Sequence, residues 1–362
     1  MLLLLLTLFL ATPALAAETD PVQAQADAIG MDELTRQAEG YMNGWADAGE
    51  AGDFSSGAAA VLRGGGGELP GSLKGAVSGA IVLLLIVVAC AMAENVSGES
   101  LKTGLEPARL AGVAAVTAVA AADVNALLSL GTQAMDQMDV FSKALLPAMT
   151  AACAANGAPV SAAARQGVTL LGFSLLMTLI RQLLIPLVYG YVAASAAHAA
   201  LGNEGLKRLA GLLKSIVATL LGALLTAFVF YLTISGAVAG NADAVAQKTA
   251  KMAISGMVPV VGGILSDAAD TVVAGAGVLK GTVGTLGLVA VLAICLLPFL
   301  RLGLHYLVYK CAAALAGTVS PGPLSGLIDA IGSAFALILG MVGGCALILY
   351  VALITSIKAV GG

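Results

Sequence analysis

The sequence predicts an all-α membrane protein, a polytopic bundle of transmembrane helices. Three observations carry this. Of 362 residues, 59% are hydrophobic, with a mean hydropathy of +0.98. Only 10% are charged, against about 25% in soluble domains. Apolar stretches long enough for the ~20 residues of a helical crossing recur along the chain from residue 76 onward.

The stretches are Ala76–Ala93, Leu110–Gly131, Val168–Ala200, Leu209–Ala239, Thr282–Ala316 and Gly326–Ile357. Four exceed one straight span; Val168–Ala200 would reach ~50 Å as a helix, against ~30 Å of hydrocarbon. Pro186 and Pro298 fall inside two of them. A proline removes a helical hydrogen bond and clashes with the preceding turn, so each is expected to kink or break its helix. The 45 glycines and scarce aromatics suit close helix packing in lipid.

Ahead of the stretches, residues 1–16 (MLLLLLTLFLATPALA) read as a secretory signal ending in Ala14-Leu15-Ala16. No Lys or Arg precedes the leucines, so only the terminal amine supplies positive charge. Residues 17–75 form an acidic extracytoplasmic segment, with ten carboxylates against Arg36, Arg63 and Lys74. Within it, Asp32–Trp45 predicts an amphipathic helix with Leu34, Ala38, Tyr41 and Trp45 on one face. Arg63 to Gly71, with four consecutive glycines, reads as a flexible connector.

Residues 76–139 hold two transmembrane helices, and the remainder reads as an internal duplication of 140–239 and 252–357. Pro147 and Pro186 are 39 residues apart, as are Pro259 and Pro298. At the constant offset of 112 that brings these prolines together, Gly172 also lies over Gly284. After a six-residue shift, Leu206, Leu209, Ser215 and Gly222 lie over Leu324, Leu327, Ser333 and Gly340. Faint symmetry of this kind is common in transporter-like folds.

Each copy begins with a short proline-bearing segment, Leu145–Pro159 and Ile254–Val278. The second is broken by Pro259, Gly262 and Gly263 and carries Asp267 and Asp270, which lipid disfavours. A re-entrant hairpin or interfacial helix is expected, because irregular backbone at membrane depth needs protein or water to cover it. This is the candidate functional hairpin; a solvated hairpin tip is the plainer reading.

Asp123, Asn125 and Arg181 interrupt apolar stretches and are the candidate intramembrane polar residues. Two readings of Arg181 stand: an ion pair with Asp123, or snorkelling to an interface. Arg301 and Lys310, after Pro298, read as interface markers.

Other chemistry finds no foothold. The five cysteines form no CxxC pair and the two histidines are far apart, so no metal site is expected and the cysteines read as small apolar residues. H-E-x-x-H, G-x-S-x-G and the P-loop are missing. The reading is therefore not an enzyme, with no catalytic residues and no cofactor. A net charge of −4 without a basic tract excludes nucleic acid as the expected ligand.

The stretch Pro259-Val-Val-Gly262-Gly263-Ile-Leu-Ser266-Asp267-Ala-Ala-Asp270-Thr271-Val, with Cys295-Leu-Leu-Pro298 after it, resembles the stage III sporulation protein AE family. The order of signal, acidic segment and apolar helices agrees. The resemblance implies a mother-cell membrane protein around the engulfed forespore. Its implied partners are other stage III sporulation membrane proteins and a forespore-side protein, in a channel-like complex needed for late endospore development. The residues alone leave two alternatives, a self-contained secondary carrier and an assembly platform without transport.

Overall fold

A computed structural model describes residues 31–42, 44–47, 53–96, 107–155, 159–234, 282–320 and 322–358. The proposed signal and the hairpin residues Pro259, Gly262, Gly263, Asp267 and Asp270 lie outside the described residues. The described chain is an all-α bundle. Its helices are α1 (Met31–Met42), α2 (Phe54–Gly67), α3 (Leu69–Val96), α4 (Pro107–Ala155), α5 (Pro159–Leu179), α6 (Ile185–Leu201), α7 (Glu204–Ile234), α8 (Thr282–Val319) and α9 (Pro323–Lys358). Among the described residues, six stretches are long and apolar enough to cross a membrane: Phe54–Ala93, Arg109–Met149, Thr169–Leu201, Glu204–Tyr231, Val283–Val319 and Pro323–Ile354.

The hairpin α8–α9 sits at the centre. In its most apolar stretch α9 is 89% buried, against 22% for α7. Helix α9 packs on α8, α4, α6 and α7, while α8 also takes α3, α1 and α2. Lipid gives no hydrophobic drive for such contacts, so shape fit and dispersion hold the helices together. Glycines make the approach possible: a Cβ on Gly131 of α4 would lie 2.6 Å from Ile338, and one on Gly287 of α8 2.8 Å from Leu145.

Three connections lie at one end of the bundle, which we call the turn end. Arg109, near the start of α4, donates from Nε to the Ala199 carbonyl at 3.0 Å, satisfying one of the free carbonyls at the end of α6. Gly112 lies beside Leu324 at the start of α9. Gly202, at φ +67°, closes the α6–α7 turn, and a Cβ there would also meet Arg109. The left-handed backbone and the space both favour glycine.

Neither proline reverses the chain. Helix α8 continues through Pro298. Before Pro186 the helix widens to a π turn, Ile180–Leu184, and continues as α6. A π turn absorbs the displaced hydrogen bond without breaking the rod. Pro147 is likewise inside α4, on an exposed face, so Leu145–Ala155 ends a 49-residue helix instead of forming a re-entrant segment.

Two expectations for the acidic segment differ in outcome. Helix α1 is amphipathic as expected, burying Leu34, Ala38 and Met42, with Trp45 packed just beyond its end. The glycine run is not a connector: it forms the last turn of α2, where Cβ atoms on Gly64 and Gly65 would fall 2.3 Å from Trp45 and 2.5 Å from Leu296. Packing overrides the poor helix propensity of glycine.

Gly131→Ala should lower the melting temperature in detergent, since overpacking a close crossing costs about 1–3 kcal/mol. Gly222→Ala on α7, with nothing within 4 Å of its would-be Cβ, should raise it slightly through the ~1 kcal/mol helix preference of alanine.

Candidate functional site: a polar layer inside the bundle

Charged residues gather at two levels. Arg109, Glu204, Lys207 and Arg208 occupy the turn end. Glu68, Asp136, Asp139, Lys143, Arg181 and Arg301 form an outer belt. Arg301 precedes Ser320 by nineteen residues and Arg181 precedes Leu201 by twenty, so the levels are separated by about 30 Å, the hydrocarbon thickness. Beyond the outer belt, the ends of α4, α8 and α9 continue, with α1 packed against α4 and α8.

In the outer belt Arg181 reaches Asp136 at 2.8 Å and Asp139 at 3.5 Å, and Lys143 holds Asp139 at 2.8 Å. Arg301 pairs with Glu68 at 3.3 Å. The Asp123–Arg181 pair is therefore not formed. Asp123 lies fourteen residues from Arg109, about 21 Å along α4, well short of the level of Arg181. Arg301 lies in the outer belt with Glu68. Asn125 is exposed on α4.

Between the levels lies a polar layer drawn from five helices. Tyr309 of α8, fully buried, donates its hydroxyl to Asp123 of α4 at 2.7 Å. The next residue, Lys310, projects from a different side of α8 and donates to Asp329 at 2.6 Å and Ser333 at 2.9 Å, both on α9. Lys214 of α7 donates to the same Ser333 hydroxyl at 3.2 Å. Tyr191 of α6 also stands beside Ser333. Lys214, Lys310, Ser333 and Tyr191 each stand ten residues from their end of the α6–α7 or α8–α9 turn, about 15 Å deep, midway through the hydrocarbon. Lys310 is thus not the interface marker expected.

The layer is built where α8 and α9 touch. A Cβ on Gly332 would lie 3.2 Å from Tyr309 Cβ, and Phe335 meets the Tyr309 ring edge-on at 5.0 Å between centroids. Ionisable groups at such depth are costly unless paired and turned inward, and here both carboxylates have donors.

Separately, a cleft of about 160 Å³ lies between α1, α4 and α8, lined by Tyr41, Gln133, Gln137, Ile294 and Pro298, among others. Burial pushes the Tyr41 phenol up from its ordinary value.

Of the sequence candidates, the structure brings Asp123 into the layer and leaves Arg181 in the outer belt. Tyr309, Asp329, Ser333 and Lys214 were missed. The Asp139–Lys143 spacing of four was a readable helical pair, whereas nothing local ties Asp123 to a tyrosine 186 residues away.

The bundle and its layer define a helical, polytopic type of membrane protein with ionisable groups at mid-depth. Comparison with known proteins gives the particular family: a family model for stage III sporulation protein AE matches residues 68–361, and the chain belongs to that family. It is similar to the Stage III sporulation protein AE of Bacillus subtilis (strain 168), 29% identical over 232 residues. That alignment covers 64% of this chain and 58% of the relative's length. No solved structure matches the chain.

Arg181→Ala should leave Asp139, only 12% exposed at its side chain, short of its cross-helix partner. The expected cost is about 1–3 kcal/mol, below the fully buried case because Arg181 is partly exposed. Double-mutant cycles read by thermal unfolding should give coupling of ~0.5–3 kcal/mol between Arg181 and Asp139 and near zero between Arg181 and Asp123.

Proposed function

We propose that the chain is a membrane subunit of a channel-like complex between mother cell and forespore, needed for late endospore development. In this reading it resides in the mother-cell membrane around the forespore and serves as a structural and pathway-lining component. Its partners are other stage III sporulation membrane proteins and a forespore-side protein. It does no enzymatic work and carries no cofactor. Family membership supports the sporulation role. The observation that carries the pathway-lining role is the mid-depth layer of Asp123, Lys214, Lys310 and Asp329, because intramembrane charges commonly mark polar routes.

The centre of the bundle is filled by large buried side chains, Tyr309, Phe335, Phe173 and Phe141 among them. A route would therefore run between subunits, which favours an assembly over a self-contained carrier. The carrier reading keeps one supporting observation. Hairpins α6–α7 and α8–α9 run in the same sense, and the aligned leucines fall on α7 and α9, as in a parallel repeat with a midplane site. The hairpin of Pro259, Gly262, Gly263, Asp267 and Asp270 belongs to the same proposal, as a second polar element docking on partners.

Asp123→Asn keeps an acceptor for Tyr309 while removing the charge. In a sporulating host carrying only this variant, spore yield should fall sharply at unchanged protein level and partner co-purification. Normal spore yield at equal protein level would remove the layer from function. Solute uptake by the purified chain alone in proteoliposomes would favour the carrier.

A further inference from the structure

Helix α4 presents an outward face unlike those of α3, α5 and α7. On these the outward side chains are large and apolar, such as Ile81 and Leu85 of α3, Leu171 and Leu175 of α5, and Leu212 and Ile216 of α7. Lipid tails are as apolar as leucine and accept such surfaces. On α4 the exposed large apolar residues are Leu110 and Val140, near the two ends of its crossing. Between them the face runs through Ala115, Ala118, Ala122, Asn125, Ser129 and Thr132, all exposed or half-buried.

Two features of this face call for a protein neighbour. Its residues are spaced alternately by three and four, the heptad seam along which two helices pack side by side. The half nearer the turn end is alanine, small enough for backbones to come close. Asn125 and Ser129 lie between the charged levels marked by Arg109 and Asp136, and among the described residues neither has a hydrogen-bond partner. Thr132 meets its own need, donating back to the Leu128 carbonyl at 2.8 Å. An amide and a hydroxyl are thus left facing outward where hydrocarbon cannot pair them.

We propose that α4 packs against α4 of a second copy of this chain, in a parallel dimer with its two-fold axis along the membrane normal. Copies of one chain insert in the same sense, so this symmetry brings each residue to its own counterpart at the same depth. A face that meets itself must be self-complementary, and this one is. Asn125 carries both donors and an acceptor, so two such amides exchange a pair of hydrogen bonds, as a core asparagine does in parallel two-stranded coils. The Ser129 hydroxyls pair likewise. Charge agrees: between Arg109 and Asp136 the face bears no ionised side chain. Asp123 is turned to Tyr309, and Asp136 is held by Arg181 of its own chain. Nothing there repels an identical partner. The proposal does not depend on the channel reading.

The test uses the full chain, purified into liposomes at low protein density. In a background lacking the native cysteines, Ala118→Cys or Ala122→Cys should give a covalent dimer on mild oxidation. Leu175→Cys on α5 and Leu212→Cys on α7 should stay monomeric. By energy transfer between dye-labelled copies, Asn125→Ala should raise the dimer dissociation constant about tenfold, as loss of two interhelical hydrogen bonds predicts. Ala118→Leu with Ala122→Leu should hold the chain monomeric, whereas a face turned to lipid would be indifferent to the change. All these positions are exposed, so the fold of each variant should survive. A monomeric native chain, crosslinking as strong at Leu175 and Leu212 as on α4, or a dimer that the leucine pair leaves intact overturns the proposal.

Discussion

Two helices that are apolar around nearly their whole circumference have to be enclosed by other protein, and that need organises this molecule. Helices α8 and α9 form the enclosed pair, with Leu337, Ile338, Val342, Ile348 and Leu349 of α9 all buried. Every other crossing helix is then a wall with one face inward and one outward. Helix α7 puts Val217, Leu221 and Leu225 inward and leaves Leu209, Leu212 and Ile216 outward. The glycines at 131, 287 and 344 are consequences of the same need, because side chains of neighbouring helices already fill the space a Cβ would take.

Enclosing a hairpin in a membrane also sets where polar groups can go. Groups between the two charged levels have no bulk water to fall back on, so they meet across helices. Tyr309 and Lys310, consecutive on α8, send their polar ends to different neighbours, α4 and α9. The layer thus ties the central hairpin to its walls at the level where hydrocarbon is deepest.

Much of the architecture was legible in the sequence because a crossing helix is written locally, as a long apolar stretch. Six stretches are read from the sequence, and each has a counterpart among the described residues, with shifted ends. The amphipathic α1 was readable from the spacing of Leu34 and Ala38. The losses have one physical source, contact between distant segments. The glycine run at 64–67 reads as a linker until Trp45 and Leu296 press on it. Asp123 and Arg181 looked like partners because both are charges within apolar stretches, but depth separates them and Tyr309 and the aspartates of α4 take their places. Lys310 read as an end marker because its partners Asp329 and Ser333 lie on the next helix.

The polar layer requires the α6–α7 and α8–α9 turns to lie on one side of the membrane, with both prolines passed without reversal. Single cysteines at Asn203 and Ser320, each in a background lacking the native cysteines, test it most directly in sealed, uniformly oriented vesicles. An impermeant thiol reagent should label both from the same side and neither from the other. Labelling of Asn203→Cys and Ser320→Cys from opposite sides would contradict the six-crossing bundle and the common level on which its polar layer rests.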